Sequence, residues 1–284
     1  MILLTGATTH TGSKLAHYLI EKGENIRCIT RNDEKLNYLP NQGEEIKIGD
    51  LNDEKFMEEC FEGVSAVINI AHISFAPMII KACVKANVKR VIFMSSTRRY
   101  TKFHSESAIK VINSEEQIRN SNLDYTIIRP SMIYGDQRDN NITHLVNFIK
   151  RHKTFPMIGN GKNLVQPLFV WDLVYTIYNV LKNDKTIRKE YILSGPQAIE
   201  YDYMLKTIAD DINKKIYIIH APYKLMYFIA KIYTLFSKKP LLTLEQVQRF
   251  GEDKCFDISK AKQELGFNPT SFEEGIKRKL SGNV

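Results

Sequence analysis

The sequence predicts an α/β protein: a doubly wound parallel sheet followed by a smaller C-terminal α/β cap. Three observations carry this expectation. Short apolar runs alternate with helix-length segments through the first two-thirds of the chain, the mark of repeated strand–helix–strand units. One run, Val91-Ile92-Phe93-Met94, is continuously apolar, as a strand covered on both faces is. The chain also opens on MILLTGATTHTG, an apolar run that breaks at a glycine turn and passes into a helical pattern.

Taken in order, strands are expected at Ile2–Thr5, Ile26–Thr30, Glu45–Ile48, Ala66–Ile70, Arg90–Met94 and Tyr125–Ile128. Helices are expected between them at Gly12–Lys22, Asp53–Phe61, Pro77–Ala86 and Ser105–Asn120. After Arg129-Pro130 the pattern changes. Residues 136–141 are polar and loop-like, and Gly159-Asn160-Gly161 marks a turn. A strand at Pro167–Val170 leads into a helix from Trp171 to Lys182, and strand-like pieces recur at Tyr191–Leu193 and Lys215–Ile219. This organisation predicts a nucleotide-binding domain over residues 1–182, with 134–163 contributing to a substrate pocket, and a cap over 183–284.

Composition narrows the function. Of 284 residues, 43% are hydrophobic and 25% charged, ordinary values for a globular protein. The longest apolar stretches are interrupted, as by Lys231 within 225–236, so no stable membrane insertion is expected. The strand-like run starts at Met1 and leaves no room for a secretory leader, which predicts a cytoplasmic location. Cys28, Cys60, Cys83 and Cys255 lack metal-ligand spacing and read as reduced thiols, with no metal site. The net charge of +8 is spread along the chain, with short clusters only at Arg98-Arg99, Lys150-Arg151 and Lys238-Lys239. No nucleic-acid signature accompanies it, which favours a basic surface and an anionic small-molecule pocket over nucleic acid.

A strand that turns at glycine into a helix aims backbone N–H groups and the positive helix end at one point, which suits a pyrophosphate. Here Gly6 can make the turn, Gly12 can let helix and strand approach, and Thr8, Thr9, His10 and Thr11 complete the loop. Thr9 stands where a middle glycine is usual; its side chain must avoid the phosphates, and its hydroxyl can donate to them. The second strand ends at Arg31 with no acid before Asp33. A cation there suits a 2′-phosphate, so NADP is expected rather than NAD. Asp50 follows the third strand, where a carboxylate could meet an adenine amino group, or where Asp50 or Asn52 could simply cap the next helix.

The stretches TGATTHTG, GDLND, VKRVIFMSS, SNLDYTIIRPSMIYG, QPLFVWDL and FDISKAKQELGFNPTSFEEGIKR resemble the short-chain dehydrogenase/reductase superfamily. The likeness is to its extended and atypical branches: the NAD-dependent epimerase/dehydratase and NmrA-like proteins, built on a Rossmann domain. It implies that Gly6, Thr8, Thr11, Gly12, Arg31, Asp50, Leu51 and Ala71 line the cofactor site, with Pro130 and the loop to Tyr134 near the nicotinamide. Active members pair a serine or threonine after the fifth strand with a Tyr-x-x-x-Lys helix. Ser96 matches the serine, with Tyr100 following. Counting back from the family's helix glutamate at Glu115, the tyrosine place falls on Ser107 and the lysine place on Val111. Lys110 is adjacent but turned by about 100°.

Two functional expectations follow from the resemblance. One is an enzyme, an NADP-dependent oxidoreductase or epimerase-like protein, in which Ser96 positions a substrate oxygen and the acid comes from Tyr100, Tyr134 or Lys110. The other is a non-catalytic NADP-binding redox regulator of the NmrA type. A scaffold that keeps the fold alone is the bland alternative to both. Extended members often act on nucleotide sugars, and PMIGNGKNLVQPLFVWDL resembles the stretch beneath their substrate. Gln166 stands there in place of an arginine, a neutral amide instead of a bidentate fork, which leaves Arg138 or Lys162 to supply charge and leaves carbonyl or sterol-like substrates open. PYKLMYFIAKIYTLFSKK reads as a cap helix over the pocket, or as an apolar entrance or membrane-surface contact. His72 reads as a ribose contact or a structural histidine, and Ser105–Asn120 as a candidate homodimer face.

Overall fold

The computed structural model describes residues 1–31, 33–103, 105–236 and 244–282. His104 and the Lys238-Lys239 pair lie outside the described residues. The first half runs β1 (Ile2–Thr5), α1 (His10–Glu21), β2 (Ile26–Thr30), β3 (Glu45–Ile48), α2 (Glu54–Phe61), β4 (Ala66–Asn69), α3 (Ala76–Lys85), β5 (Arg90–Met94), α4 (Glu106–Arg119) and β6 (Asp124–Pro130). Next come β7 (Ile133–Tyr134), α5 (Ile142–Arg151), β8 (Thr154–Ile158), β9 (Leu164–Val165), β10 (Leu168–Phe169) and α6 (Val170–Leu181). The last third holds β11 (Lys189–Leu193), β12 (Ile199–Glu200), α7 (Tyr201–Asp211), β13 (Tyr217–Ala221), α8 (Tyr223–Phe236), α9 (Leu244–Phe250), α10 (Ser259–Leu265) and α11 (Phe272–Ser281).

Seven strands form one sheet in the order β11-β6-β5-β4-β1-β2-β3, every neighbouring pair parallel. Chain direction across the sheet reverses between β1 and β4, which opens a crevice at their carboxyl ends, the place where such sheets bind ligands. One face packs Leu15, Leu19, Leu173 and Ile177 onto Leu4 and Ile68; the other packs Phe61, Ile79 and Ile118 onto Val67 and Phe93. Two-sided burial explains the continuously apolar strands. A third core, with Ile149, Met157, Met204, Ile208 and Ile276, holds the cap together.

Three expectations need correction. The boundary at 182 fails because Tyr191–Leu193 belongs to β11, the seventh strand of the main sheet, paired with β6 from Lys189↔Thr126 to Leu193↔Pro130. The strand expected over Pro167–Val170 shrinks to β10, since Val170 already begins α6. Residues 142–158 hold α5 and β8, and β8 pairs with β13, which runs Tyr217–Ala221 instead of Lys215–Ile219. The cap is therefore assembled from two separated stretches of chain, one on each side of β11.

A buried charge cluster pins α4 to the sheet. Glu115 has no exposure. It accepts from Ser95 Oγ at 2.6 Å, from Arg129 Nε and Nη2 at 2.7 Å each, from Arg119 at 2.9 Å, and from Arg99. Arg119 and Arg129 also bind Glu190 of β11. Burial alone would raise the Glu190 carboxyl, but its bonds to these arginines bring it down to about 2. Across the molecule, Asp172 at the start of α6 accepts from Thr270 N at 2.8 Å and Thr270 Oγ1 at 2.9 Å, tying the chain before α11 to the sheet.

Removing one partner of such a network leaves uncompensated buried charge. Glu115→Ala is expected to cost about 3–5 kcal/mol, read from urea unfolding; a loss below about 1 kcal/mol would mean the cluster does not hold α4.

Candidate functional site: a glycine turn facing an apolar cavity

The turn after β1 is built by close approach. Gly6 has φ +65°, and a Cβ on it would lie 2.7 Å from Ala71 N. A Cβ on Gly12 would lie 2.1 Å from Gly6 O. Both positions exclude a side chain. Thr9 serves the turn through hydrogen bonds instead. Its hydroxyl donates to Gly6 O at 2.8 Å and accepts from Gly12 N at 3.1 Å, so it caps α1. The threonine is folded into the turn itself. The first-turn amides of His10 and Thr11 are ones that no helix carbonyl can reach, and they stand at the positive end of α1. Thr11 itself is buried.

Neighbouring strand ends complete the rim. Thr8 Oγ1 lies 3.2 Å from Thr30 Oγ1 at the end of β2, and Arg31 follows it, exposed. Thr5 Oγ1 donates to Asn69 Oδ1 at 2.6 Å, and Ala71 is half-buried just beyond β4. Leu51 is buried beside the end of β3. Asp50 accepts from Asn52 N at 2.8 Å, while the cap of α2 is Asp53. Neither Asp50 nor Asn52 is therefore a helix cap. A cradle closed by two glycines that tolerate no Cβ, at a helix N-terminus and ringed by strand ends, fits a dinucleotide pyrophosphate.

His10 departs from its expected place. Its ring leaves the turn, with Nδ1 2.7 Å from Asp136 Oδ1 and Nε2 buried without a hydrogen-bond partner. Arg138 also binds Asp136 and Ser13 and lies 4.3 Å over the Tyr38 ring, so it packs on α1 and is absent from the cavity wall. Burial would raise the Asp136 carboxyl, but bonding to His10 and its charge hold it well below the carboxylate range. Lys279 of α11 fixes the same loop through Asp136 O, Asp139 at 2.7 Å and Thr143 at 2.6 Å.

Beyond the ends of β5 and β6 lies a cavity of about 800 Å³ between the sheet and the cap. Ser96 and Ser131 reach it from the sheet side, and Met132, Leu145, Phe155, Met204 and Phe250 make it largely apolar. Ser96 Oγ accepts from Arg98 N at 3.1 Å, and Pro130 is buried with its carbonyl accepting from Thr97. The wall carries three cations that the sequence alone did not mark as site residues: Arg98, Arg249 and Lys254. Lys254 Nζ donates to Tyr201 Oη at 3.0 Å and Arg249 O at 2.6 Å. Burial, then the Arg249 charge, lowers its ammonium to about 8. Burial and Arg249 likewise lower Arg98, whose carboxylate neighbour Glu245 is 4.0 Å away. Mutually repelling cations in an apolar cavity are a setting for an anion. Their sequence signal was faint, two cations flanking the Gly251 turn just before FDISKA.

Other expected residues sit elsewhere. Tyr134 is fully buried between Phe169 and Phe272, its hydroxyl under Gly275 and without a hydrogen-bond partner. It is a core residue, and burial raises its phenol. Tyr100 directs its hydroxyl to Arg129 at 3.3 Å and lies outside the cavity wall. Lys110 is exposed and pairs with Glu106 at 2.6 Å. Gln166 reaches the cavity wall, but its amide donates to Gly195 O at 2.7 Å and accepts from Phe256 N at 2.8 Å, which ties sheet to cap. His72 caps a short turn through Ser74 N and is exposed, the structural alternative. On α4, Ser107 donates to Glu245 at 3.2 Å and Val111 is buried in the core.

The turn makes a direct forecast. Gly12→Ala is expected to lose at least about 2 kcal/mol through overpacking and to abolish the binding of NADH and NADPH alike, followed by fluorescence. Thr9→Gly should cost only a few tenths of a kcal/mol. Equal tolerance of both substitutions would contradict the close approach at Gly12.

The NAD(P)H-binding family model matches residues 6–156. Among curated relatives, NADH dehydrogenase [ubiquinone] 1 alpha subcomplex subunit 9, mitochondrial, of Rattus norvegicus is 26% identical over 197 residues, 69% of this chain. The chain spans about half the length of that relative, 52%. N-acetyl-alpha-D-glucosaminyl-diphospho-ditrans,octacis-undecaprenol 4-epimerase of Escherichia coli O157:H7 is 24% identical over 227 residues, 71% of this chain and 67% of the relative. The crystal structure of UDP-glucose 4-epimerase with UDP-glucose from Thermotoga maritima superposes with a TM-score of 0.79 at 18% identity, covering 99% of this chain and 97% of that one. With its seven-stranded parallel sheet and its glycine turn, the chain belongs to the NAD(P)H-binding family and shares the Rossmann-like fold of epimerase/dehydratase structures.

Proposed function

We propose that the protein is an NADP-dependent enzyme of the oxidoreductase or epimerase/dehydratase kind, acting on a small molecule that joins an anionic group to a larger body. The observation that carries this is the cavity of about 800 Å³ beyond the ends of β5 and β6, with Arg98, Arg249 and Lys254 in a largely apolar wall. The names of the relatives, which include sugar-diphosphate epimerases, support a nucleotide sugar or a lipid-linked sugar diphosphate as the substrate class. Gly6, Thr8, Thr11, Gly12, Asp50, Leu51, Ala71 and Pro130 would hold the dinucleotide, and Arg31 would meet a 2′-phosphate. The cofactor, when bound, supplies hydride transfer. Ser96 would orient a substrate oxygen from its position on the cavity wall, and the cation group would anchor the anion at the far end.

A second reading, an NADP-binding redox regulator without turnover, has one observation in its favour. The places of the family's tyrosine and lysine hold Ser107, bonded to Glu245, and the buried Val111. Neither can exchange a proton with a substrate as a phenol–ammonium pair does.

Calorimetry with NADPH and NADH at matched salt tests the cofactor assignment. NADPH is expected to bind more tightly, and Arg31→Ala should weaken NADPH about tenfold while leaving NADH unchanged. Equal affinities, unmoved by Arg31→Ala, would remove the basis for NADP. The anion site is tested with UDP as probe. The Lys254 ammonium is charged below about 8 and neutral above it, so UDP affinity should fall as pH rises from 7 to 9. Lys254→Arg should flatten that profile; a flat wild-type profile would remove Lys254 from the site.

A further inference from the structure

Helix α8 (Tyr223–Phe236) has two unlike faces. Met226 lines the cavity and Ala230 is buried beneath it. The opposite face is apolar yet open to solvent: Phe228 is 60% exposed, Leu225 52%, Ile229 47% and Ile232 40%. At about 100° per residue these four, together with Lys224 and Lys231, occupy about 160° of the helix circumference. The two lysines, both exposed, fall together along one edge of that arc. Just before the helix, β13 adds the exposed Tyr217 and Ile219. Charge is one-sided across the whole region: between Asp211 and Glu245 the sequence carries six lysines and no carboxylate.

We infer that this face of α8 docks on the surface of an anionic lipid bilayer. An apolar helix face edged by lysines is the arrangement that lies in the headgroup layer, with the apolar side chains inserted and the ammonium groups among lipid phosphates. A neutral or basic partner would not call for an acid-free stretch that spans the whole region, and the four large apolar side chains held open to water beside the lysines point to lipid as the anionic occupant. The contact is peripheral, since no helix among the described residues is long and apolar enough to cross a membrane. Because the other face of the same helix forms part of the cavity wall, docking would set the cavity beside the bilayer.

The test is sedimentation of the full-length protein with vesicles of phosphatidylcholine alone and with one-third phosphatidylglycerol. Binding is expected to the anionic vesicles only, and to weaken in 0.5 M salt (a buffer choice that shortens the Debye length to roughly 4 Å). Lys224→Glu should lower partitioning at least fivefold, and the double variant Phe228→Glu, Ile229→Glu at least tenfold. Circular dichroism and thermal melting should leave both variants unchanged, as the positions are exposed. No preference for anionic vesicles, or equal binding by the double variant, overturns the inference. So does a concentration-dependent dimer, seen by analytical ultracentrifugation, that the double variant abolishes while vesicle binding is absent, because the face would then meet a second copy.

Discussion

Everything at the mouth of the crevice depends on a carboxylate that water never reaches. Glu115 sits on α4, and its partners come from the end of β5, the turn after it, β6 and α4 itself, with β11 joined through Glu190. A lone buried carboxylate is too costly to persist, and Arg129, itself buried, would keep only Glu190 without it. The Glu115–Arg129 pair is therefore the part of the cluster that neither partner can lose cheaply. The cluster fixes where β5 and β6 end, and so where Ser96, Pro130 and Ser131 stand relative to the glycine turn.

Two kinds of surface meet at that point. The turn presents backbone amides and a helix dipole, which are built into the main chain and need no particular side chain beyond the two glycines. The cavity presents side chains, mostly apolar, with three cations set among them. Low polarity around those cations strengthens their attraction to an anion while penalising their own charge, as the lowered Lys254 ammonium reflects. The two surfaces come from parts of the chain far apart in sequence, and on the cavity side Gln166 ties the sheet to the cap by holding Gly195 and Phe256.

Much of this was legible in the order of residues alone. β1, β2 and β5 fall on the residues their largely apolar runs mark, because a strand buried in a parallel sheet leaves a local imprint; β3, an exposed edge strand, shows only the alternation of EIKI. The turn was legible too: Gly12 answers to Gly6 O six residues away and Gly6 to its own positive φ, although its close neighbour Ala71 N is distant in sequence. Partnership was not. Nothing local in Lys189–Leu193 says that it joins β6 and not the cap, and two-residue strands such as β9 and β12 are too short to show a period. Side-chain direction was lost as well. Tyr134, Arg138 and Tyr100 lie near the site in sequence, yet each turns to a partner it finds only in the folded chain: an aromatic pair, Ser13 and Arg129. Arg249 and Lys254 escaped because a cavity lined from several separate segments has no linear signature.

Thr9 bears on how such sites are recognised at all. A pattern that demands three glycines passes over this chain, although its turn has the required shape. Two positions are constrained by space, where a methyl group would strike a backbone oxygen or nitrogen, while the third is constrained only by hydrogen bonding and accepts a hydroxyl that satisfies it. The middle position of the motif is therefore a degenerate letter. A search written in terms of excluded volume at two sites and a capping oxygen at the third would gather in divergent chains that a search written in glycines leaves out.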